Sequence, residues 1–243
     1  MRNALDVLHH VTAVCSDAGR TVDFYREIGF HLVKKTVNFD DPGSYHLYFG
    51  DELGRPGTLL TFFEWPHGGR GHLGMGAVAS VAVSTPAVDE PSEIEDPDGL
   101  HLELYPGDQA ELLWVTAFGE PALYDGLLAE HSQLRFAFGA ARQAAIGIGR
   151  VHHIAWRMAD SDEQLAWRER VAAMGLRPTP ALDRKYFESI YFRMRDGILF
   201  ELATDRPGFT VDESPEALGA ALSLPDWLEA ERSTIERILT PIA

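Results

Sequence analysis

The feature that most constrains this chain is that it repeats itself. Leu8-His9-His10-Val11-Thr12-Ala13-Val14 returns as Val151-His152-His153-Ile154-Ala155-Trp156-Arg157. The segments downstream of the two copies also correspond. Asp17 to Gly29 carries Val22, Phe24, Tyr25 and Ile28 at helical spacing, and Asp160 to Gly175 carries Leu165, Trp167, Val171 and Met174. Both segments end in a glycine, which a helix C-terminus favours. Two strand-like runs come next in each copy. They are Ser44 to Gly50 and Gly57 to Phe63 in the first, Ser189 to Met194 and Gly197 to Ala203 in the second. A further strand is expected near Phe30 to Lys35 and near Leu176 to Pro180, so each unit reads β-α-β-β-β.

Two reduced copies lie between them. Ala77 to Ser84 reads as a strand, and Asp96 to Leu104 as a hairpin leading into another, with no helix between the two. Leu112 to Phe118 opens a third unit. A short helix near Pro121 to Ala129 and a strand near Leu134 to Phe138 complete it, and Gly139 to Gly149 reads as a linker. The tail holds one expected helix, Pro225 to Leu239, with Trp227, Leu228, Ile235 and Ile238 on its apolar side. The expected organisation is a first module at 1–70, two reduced middle modules at 71–149, and a last module with a helical tail at 150–243. The fold class is α+β, built from repeated βαβββ modules.

Composition narrows the function. Lys plus Arg is 21 against 37 Asp plus Glu, a formal net charge of −16. That balance repels phosphate backbones and anionic lipid, so no nucleic-acid or membrane partner is expected. Cys15 is the only cysteine. Disulfides within the chain and thiolate metal sites are therefore out, which fits a reducing cytoplasm. The start, Met1 to Asp6, lacks an apolar signal core, and no apolar run approaches the roughly 20 residues of a membrane span. Any metal site must come from His, Asp and Glu.

Neighbours on a strand point to opposite faces, so only one histidine of each pair is expected to face a shared cavity. The second of each pair, His10 and His153, keeps register with the apolar residues downstream, and Thr12 shares the face of His10. Glu201 sits in the otherwise apolar run Ile198 to Ala203, where a carboxylate is costly unless paired or bound to metal. The plainer alternative is a salt bridge to Arg184 or Arg193. Aligning Gly57 with Gly197 puts Thr61 opposite Glu201. Two His and one carboxylate form the facial triad of non-haem Fe(II) oxygenases, with positions left open for substrate and O2. A Glu or Gln at Thr61 would instead favour Lewis-acid isomerase chemistry. Arg184 and Tyr191 could steady a phenolate, though an Arg–Glu surface pair and a packed Tyr explain them as well. Glu103 reads as structural. His31, His46, His67, His72 and His131 have no partner pattern and read as surface or turn residues.

These residues resemble the vicinal oxygen chelate (glyoxalase/extradiol dioxygenase) superfamily. Leu8 to Thr12, Leu32 to Asn38, Asp40 to Tyr48, Pro56 to Phe63, Val151 to Ala155, Tyr186 to Phe192, Leu199 to Asp205 and Leu224 to Glu229 are more specifically similar to its hydroquinone-type ring-cleaving dioxygenases. The resemblance implies an extradiol-type oxidoreductase that cleaves hydroquinone- or catechol-like aromatics with O2. It implies Fe(II), with Mn, Zn or Ni able to stand in its place, held by His10, His153 and Glu201. His9, Thr12, His152, Arg184 and Tyr191 would surround the metal or contact substrate. The middle, Gly76 to Gly149, is compressed relative to that family, and a second subunit could replace the lost buttress, so a homodimer is expected. Two other activities fit the same pattern. One is a glyoxalase or epimerase using Zn, Ni or Co; the other is a non-catalytic binding protein.

Overall fold

A computed structural model describes residues 4–140 and 142–242. Met1 to Asn3 of the expected signal-free start, Ala141 of the expected linker, and Ala243 lie outside the described residues. Two sheets carry the chain. The larger has eight strands in the order β11-β12-β13-β10-β1-β4-β3-β2. Its first half is β1 (Leu8–Cys15), β2 (His31–Asn38), β3 (Asp41–Gly50) and β4 (Leu59–Glu64). Its second half is β10 (Val151–Met158), β11 (Leu182–Asp183), β12 (Phe187–Arg193) and β13 (Leu199–Pro207). The smaller sheet is β6-β7-β5-β8-β9, from β5 (Val78–Thr85), β6 (Ser92–Glu95), β7 (His101–Pro106), β8 (Glu111–Phe118) and β9 (Leu134–Ala137). The architecture is α+β, and the two outer copies of the repeat share one sheet.

The helices obey the cues in the sequence. Helix α1 (Ala18–Glu27) is capped by the Asp17 carboxylate, which accepts the Arg20 N–H at 2.8 Å. Helix α2 (Ser161–Ala173) is capped in the same way by Asp160 on Glu163 N–H. Each such cap contributes about 1 kcal/mol. Both helices end on a glycine with positive φ, Gly29 at 87° and Gly175 at 80°. That conformation lets Phe30 N–H reach back to Tyr25 O and Leu176 N–H to Val171 O.

Three elements differ from expectation. No strand forms at Leu176 to Pro180, although Thr179 N–H reaches Tyr191 O of β12; the paired strand is Leu182–Asp183. Pro178 and Pro180 lack the N–H a ladder needs. The short middle helix is a single 3-10 turn, Pro121–Tyr124. The tail helix divides into a 3-10 segment, Asp226–Glu231, and helix α3 (Arg232–Ile238). Leu228 and Ile235 are buried, whereas Trp227 and Ile238 are exposed.

The expected linker is not loose. It runs beside the first crossing between the sheets, with Gly71 N–H on Ile148 O at 3.1 Å and His72 and Ala145 exchanging both backbone bonds. A Cβ at Gly74 would stand 2.5 Å from Arg142 O, so the close approach needs glycine.

The site is positioned by the seam between β1 and β10, the middle of the large sheet. Every residue of β1 is buried. Val11, Ala13, Ile154 and Trp156 belong to the main apolar core with Phe62, Phe200 and Leu202. Each large apolar side chain fully buried there contributes roughly 1.5–3 kcal/mol. His10, Thr12 and His153 occupy the alternate positions of the same strands.

Candidate metal centre

The seam has approximate two-fold symmetry. His10 lies opposite Ala155 and Thr12 opposite His153 in the antiparallel register, and a register shift falls on either side, at His9 and at His152. On the flanking strands, Thr12 pairs with Thr61 and Ala155 with Glu201. Glu201 therefore occupies in one half the place Thr61 occupies in the other, as the glycine alignment predicts.

The three expected ligands converge. His10 Nε2 is 3.2 Å from His153 Nε2 and 3.3 Å from Glu201 Oε2, and His153 Nε2 is 2.9 Å from Glu201 Oε2. All three residues are buried. Among the described residues they are the one group of His, Cys, Asp or Glu side chains able to share an ion. Ligand atoms about 2.1 Å from a cation and at right angles to one another stand roughly 3.0 Å apart. The observed triangle matches that facial arrangement. Glu201 Oε2 is buried and otherwise has no hydrogen-bond donor, an orphan acceptor that a cation would satisfy. Burial opposes ionisation of Glu201, but the two imidazoles beside it hold its carboxyl well below the usual carboxylate range. The alternative salt bridge to an arginine is not formed. Ser189 Oγ donates to Glu201 Oε1 at 2.5 Å, which leaves Oε2 for the histidines.

The opposite-face argument for the histidine pairs needs correction. His9 and His152 are not turned away, because the register shifts fall on them and let each ring meet its neighbour. His9 Nδ1 is 2.9 Å from His10 Nδ1, and His152 Nδ1 is 2.8 Å from His153 Nδ1. These contacts fix the tautomers. His9 Nε2 faces the Thr204 carbonyl at 3.2 Å, so that nitrogen carries the proton. His9 Nδ1 is then an acceptor, and His10 Nδ1–H must donate to it. This leaves the His10 Nε2 lone pair aimed at the triangle, the outer-partner arrangement that orients metal-bound histidines. Burial, then the charge of the neighbouring ring, pushes both His9 and His152 down to about 3, so both stay neutral.

The ligand atoms face a cleft lined also by Phe63, Phe187, Tyr48, Tyr191 and Arg184. Tyr191 lies across from Glu201 in the β12–β13 register, with its ring 5.7 Å from that of His153. Burial and the Glu201 charge push its hydroxyl well above the usual phenol range, so it is a neutral donor. The Arg184 guanidinium stands 5.5 Å from the centre of the Tyr191 ring and pairs with Asp40 at 3.1 Å. Thr12 Oγ1 is 2.7 Å from Thr61 Oγ1, which in turn meets His46, so Thr12 supports a lining residue from behind and does not itself line the cleft.

Sequence reasoning missed His46. It is buried, lines the cleft, and is held between Tyr48 OH at 3.0 Å and Thr61 Oγ1 at 3.1 Å. Burial, then the His10 charge, pushes it well below the usual imidazole range. The available signal is period two: Tyr48 pairs with Thr61 as Tyr191 pairs with Glu201, so His46 shares the face of a cleft tyrosine. Arg193 does not join the site; it is exposed and donates to Gly197 O.

The five-stranded sheet keeps the same register with different chemistry. Ser80, Trp114, Glu103 and Arg135 hold the corresponding places. Ser80 Oγ donates to Glu103 Oε1, and Arg135 stacks 3.4 Å above the Trp114 ring.

Residues 7–202 match the model of the glyoxalase/bleomycin resistance protein/dioxygenase superfamily. The chain belongs to this superfamily. Among its relatives, a Bacillus subtilis (strain 168) protein named "Putative ring-cleaving dioxygenase MhqO" is 35% identical over 298 aligned positions, covering 96% of each chain. The chlorohydroquinone/hydroquinone 1,2-dioxygenase of Sphingobium indicum is 31% identical, covering 96% of this chain and 95% of that one. A crystal structure described as a "putative dioxygenase" from Bacillus subtilis subsp. subtilis superposes with a TM-score of 0.90 at 32% identity, covering 100% of this chain and 99% of that one. Maize glyoxalase I shares the fold at a TM-score of 0.58 and 14% identity, covering 82% of this chain. The relatives named as ring-cleaving dioxygenases support an oxidoreductase of that class. No helix among the described residues is long and apolar enough to cross a membrane.

Proposed function

We propose that this protein is an Fe(II)-dependent, extradiol-type dioxygenase that opens hydroquinone- or catechol-like rings with O2. The observation that carries the reading is the triangle of two imidazole nitrogens and one carboxylate oxygen, with edges of 2.9–3.3 Å, at the closed end of an aromatic-lined cleft. The relatives named as hydroquinone-cleaving enzymes supply the substrate class.

His10, His153 and Glu201 would hold the ion, and Mn, Zn or Ni would fit the same donors. Bound Fe(II) would supply a redox centre with open positions, through which an electron-rich ring and O2 exchange electrons. The remaining work falls to the protein. His9 fixes the tautomer of His10 by accepting from its Nδ1–H, and His152 would do the same for His153 when His153 gives Nε2 to the ion. Ser189 fixes the carboxylate. Phe63 and Phe187 give the cleft aromatic walls that would hold a flat substrate and exclude water. Tyr191 donates its hydroxyl proton to oxygen charge as it develops, and Arg184 balances the same charge from the mouth. The balance closes without another reductant: one ring carbon–carbon bond breaks beside the hydroxyl-bearing carbon, and both atoms of O2 stay in the product.

A glyoxalase-type reaction is the second reading. It would draw on a fourth protein ligand from the Glu201-equivalent place, which Thr61 fills while tied to Thr12 and His46. Three ligands leave more of the coordination sphere for substrate and O2 together. The test is an O2 electrode. Protein loaded with Fe(II) under anaerobic conditions should consume one O2 per substituted hydroquinone and none with methylglyoxal–thiol adducts. Isomerisation of the adduct with no O2 uptake from any hydroquinone or catechol would reverse the assignment.

A further inference from the structure

Resting on the ring-cleaving reading, we infer that Asp40 sets the charge selectivity of the site, so that uncharged hydroquinones are admitted and ring carboxylates are turned away. Two connected spaces lead to the ligand triangle. The inner one is tight, about 30 Å³, and the outer one is about 300 Å³. Asn38, Asp40, Phe63, His153, Arg184 and Tyr191 line both. Apart from Glu201, the charged side chains facing either space are Asp40 and Arg184.

These two close on each other across the mouth. Asp40 lies in the turn between β2 and β3, in the first half of the large sheet, and Arg184 lies beside β11 in the second. The Asp40 carboxylate takes both terminal nitrogens of the guanidinium, at 3.1 and 3.4 Å. A guanidinium has two edges that can take a carboxylate with parallel bonds, and Asp40 occupies the terminal one, Nη1 and Nη2. A substrate carboxylate would have to displace Asp40 from that edge or use the other edge with the Asp40 charge on the same guanidinium, and either way it meets a like charge. A neutral hydroquinone asks only that the turn yield, and the pair is weak enough to allow that, because Asp40 is 74% exposed and its contacts are long. The turn has an apolar support: Phe39, which lines the inner space, packs edge-on against Trp227 of the tail at 5.6 Å. Asp40 thus acts through Arg184, as a positioning and selectivity residue.

The experiment compares Fe(II)-loaded wild type, Asp40→Asn, Asp40→Glu and Asp40→Asn/Arg184→Ala with methylhydroquinone and 2,5-dihydroxybenzoate. Dissociation constants come from anaerobic calorimetry, and kcat and KM from O2 uptake. Asp40→Asn should tighten binding of the carboxylated ring relative to the neutral one by roughly tenfold, through Kd and KM more than kcat. Asp40→Glu should behave as wild type, and the double variant should lose the gain. An unchanged ratio of dissociation constants in Asp40→Asn, or a gain that survives loss of Arg184, overturns the inference. The binding ratio is read without turnover. A wild type that cleaves neither ring overturns the ring-cleaving reading, while the predicted ratio shift in Asp40→Asn would still support the role of Asp40.

Discussion

Glu201→Ala is expected to abolish hydroquinone-dependent O2 uptake and to strip the protein of tightly held iron. The side chain supplies one corner of the ligand triangle, and its Oε2 is 2.9 Å from His153 and 3.3 Å from His10. Replacing groups that merely orient metal ligands typically costs roughly 10–100-fold. Loss of a ligand should exceed that range, on the order of 10³-fold in kcat/KM. Circular dichroism and a urea midpoint establish that the variant is folded, and iron analysis after anaerobic reconstitution reads the site itself. Ser189→Ala is the graded control. It keeps the ligand but removes the hydroxyl that holds Oε1, so its loss should fall within the 10–100-fold range. Equal turnover in wild type and Glu201→Ala would remove the triad from the mechanism.

The largest stability effect outside the core is expected at Lys34. Its side chain is fully buried, and Nζ donates to Asp212 Oδ1 at 2.7 Å, to Glu213 Oε2 and to the Phe209 carbonyl. The ammonium also lies 4.9 Å from the centre of the Tyr186 ring. Lys34 therefore clamps the stretch after β13 against β2, behind the wall of the cleft: Phe209 packs on Tyr48 with ring centres 5.0 Å apart, and Tyr48 holds His46. Lys34→Ala leaves the Glu213 carboxylate, 9% exposed, without its ion partner, whereas Asp212 keeps Lys185 at 2.7 Å. Breaking one side of a buried pair costs about 3 kcal/mol, the low end of the range because Asp212 stays paired. For a chain of this size that is a fall of roughly 6–12 °C in Tm. Lys34→Arg should recover part of the loss. A thermal midpoint within a degree or two of wild type in Lys34→Ala would show that the clamp contributes nothing.

How far the sequence reaches is best seen at particular residues. The repeat brings the two His-His pairs to one structural position, register with the downstream apolar residues selects His10 and His153 from them, and Glu201 stands out as a carboxylate in an otherwise apolar strand of the last module. Thr61 is legible as the counterpart of Glu201 from the repeat, and the strand registers reproduce that pairing. The roles of His9 and His152 are not legible from strand alternation. Each sits at a register shift, and neither position carries the glycine that would announce a bulge. His46 escapes because its counterpart across the pseudo-symmetry is a serine, Ser189; a search for repeated histidines passes over it. The missing strand at Leu176 to Pro180 is a local failure. The strand-like pattern there runs across two prolines, which remove its ladder donors. The Asp40–Arg184 pair joins residues 144 positions apart, on a turn and beside a two-residue strand, where periodicity carries no information.

Iron binding tests the account most directly. Metal-free protein titrated with Fe(II) under strict exclusion of O2 should bind one ion per chain, and His10→Ala, His153→Ala and Glu201→Ala should each lose that stoichiometric binding. Failure of the wild type to bind, or one equivalent taken up just as tightly by all three variants, would mean that these side chains meet for some reason other than a metal.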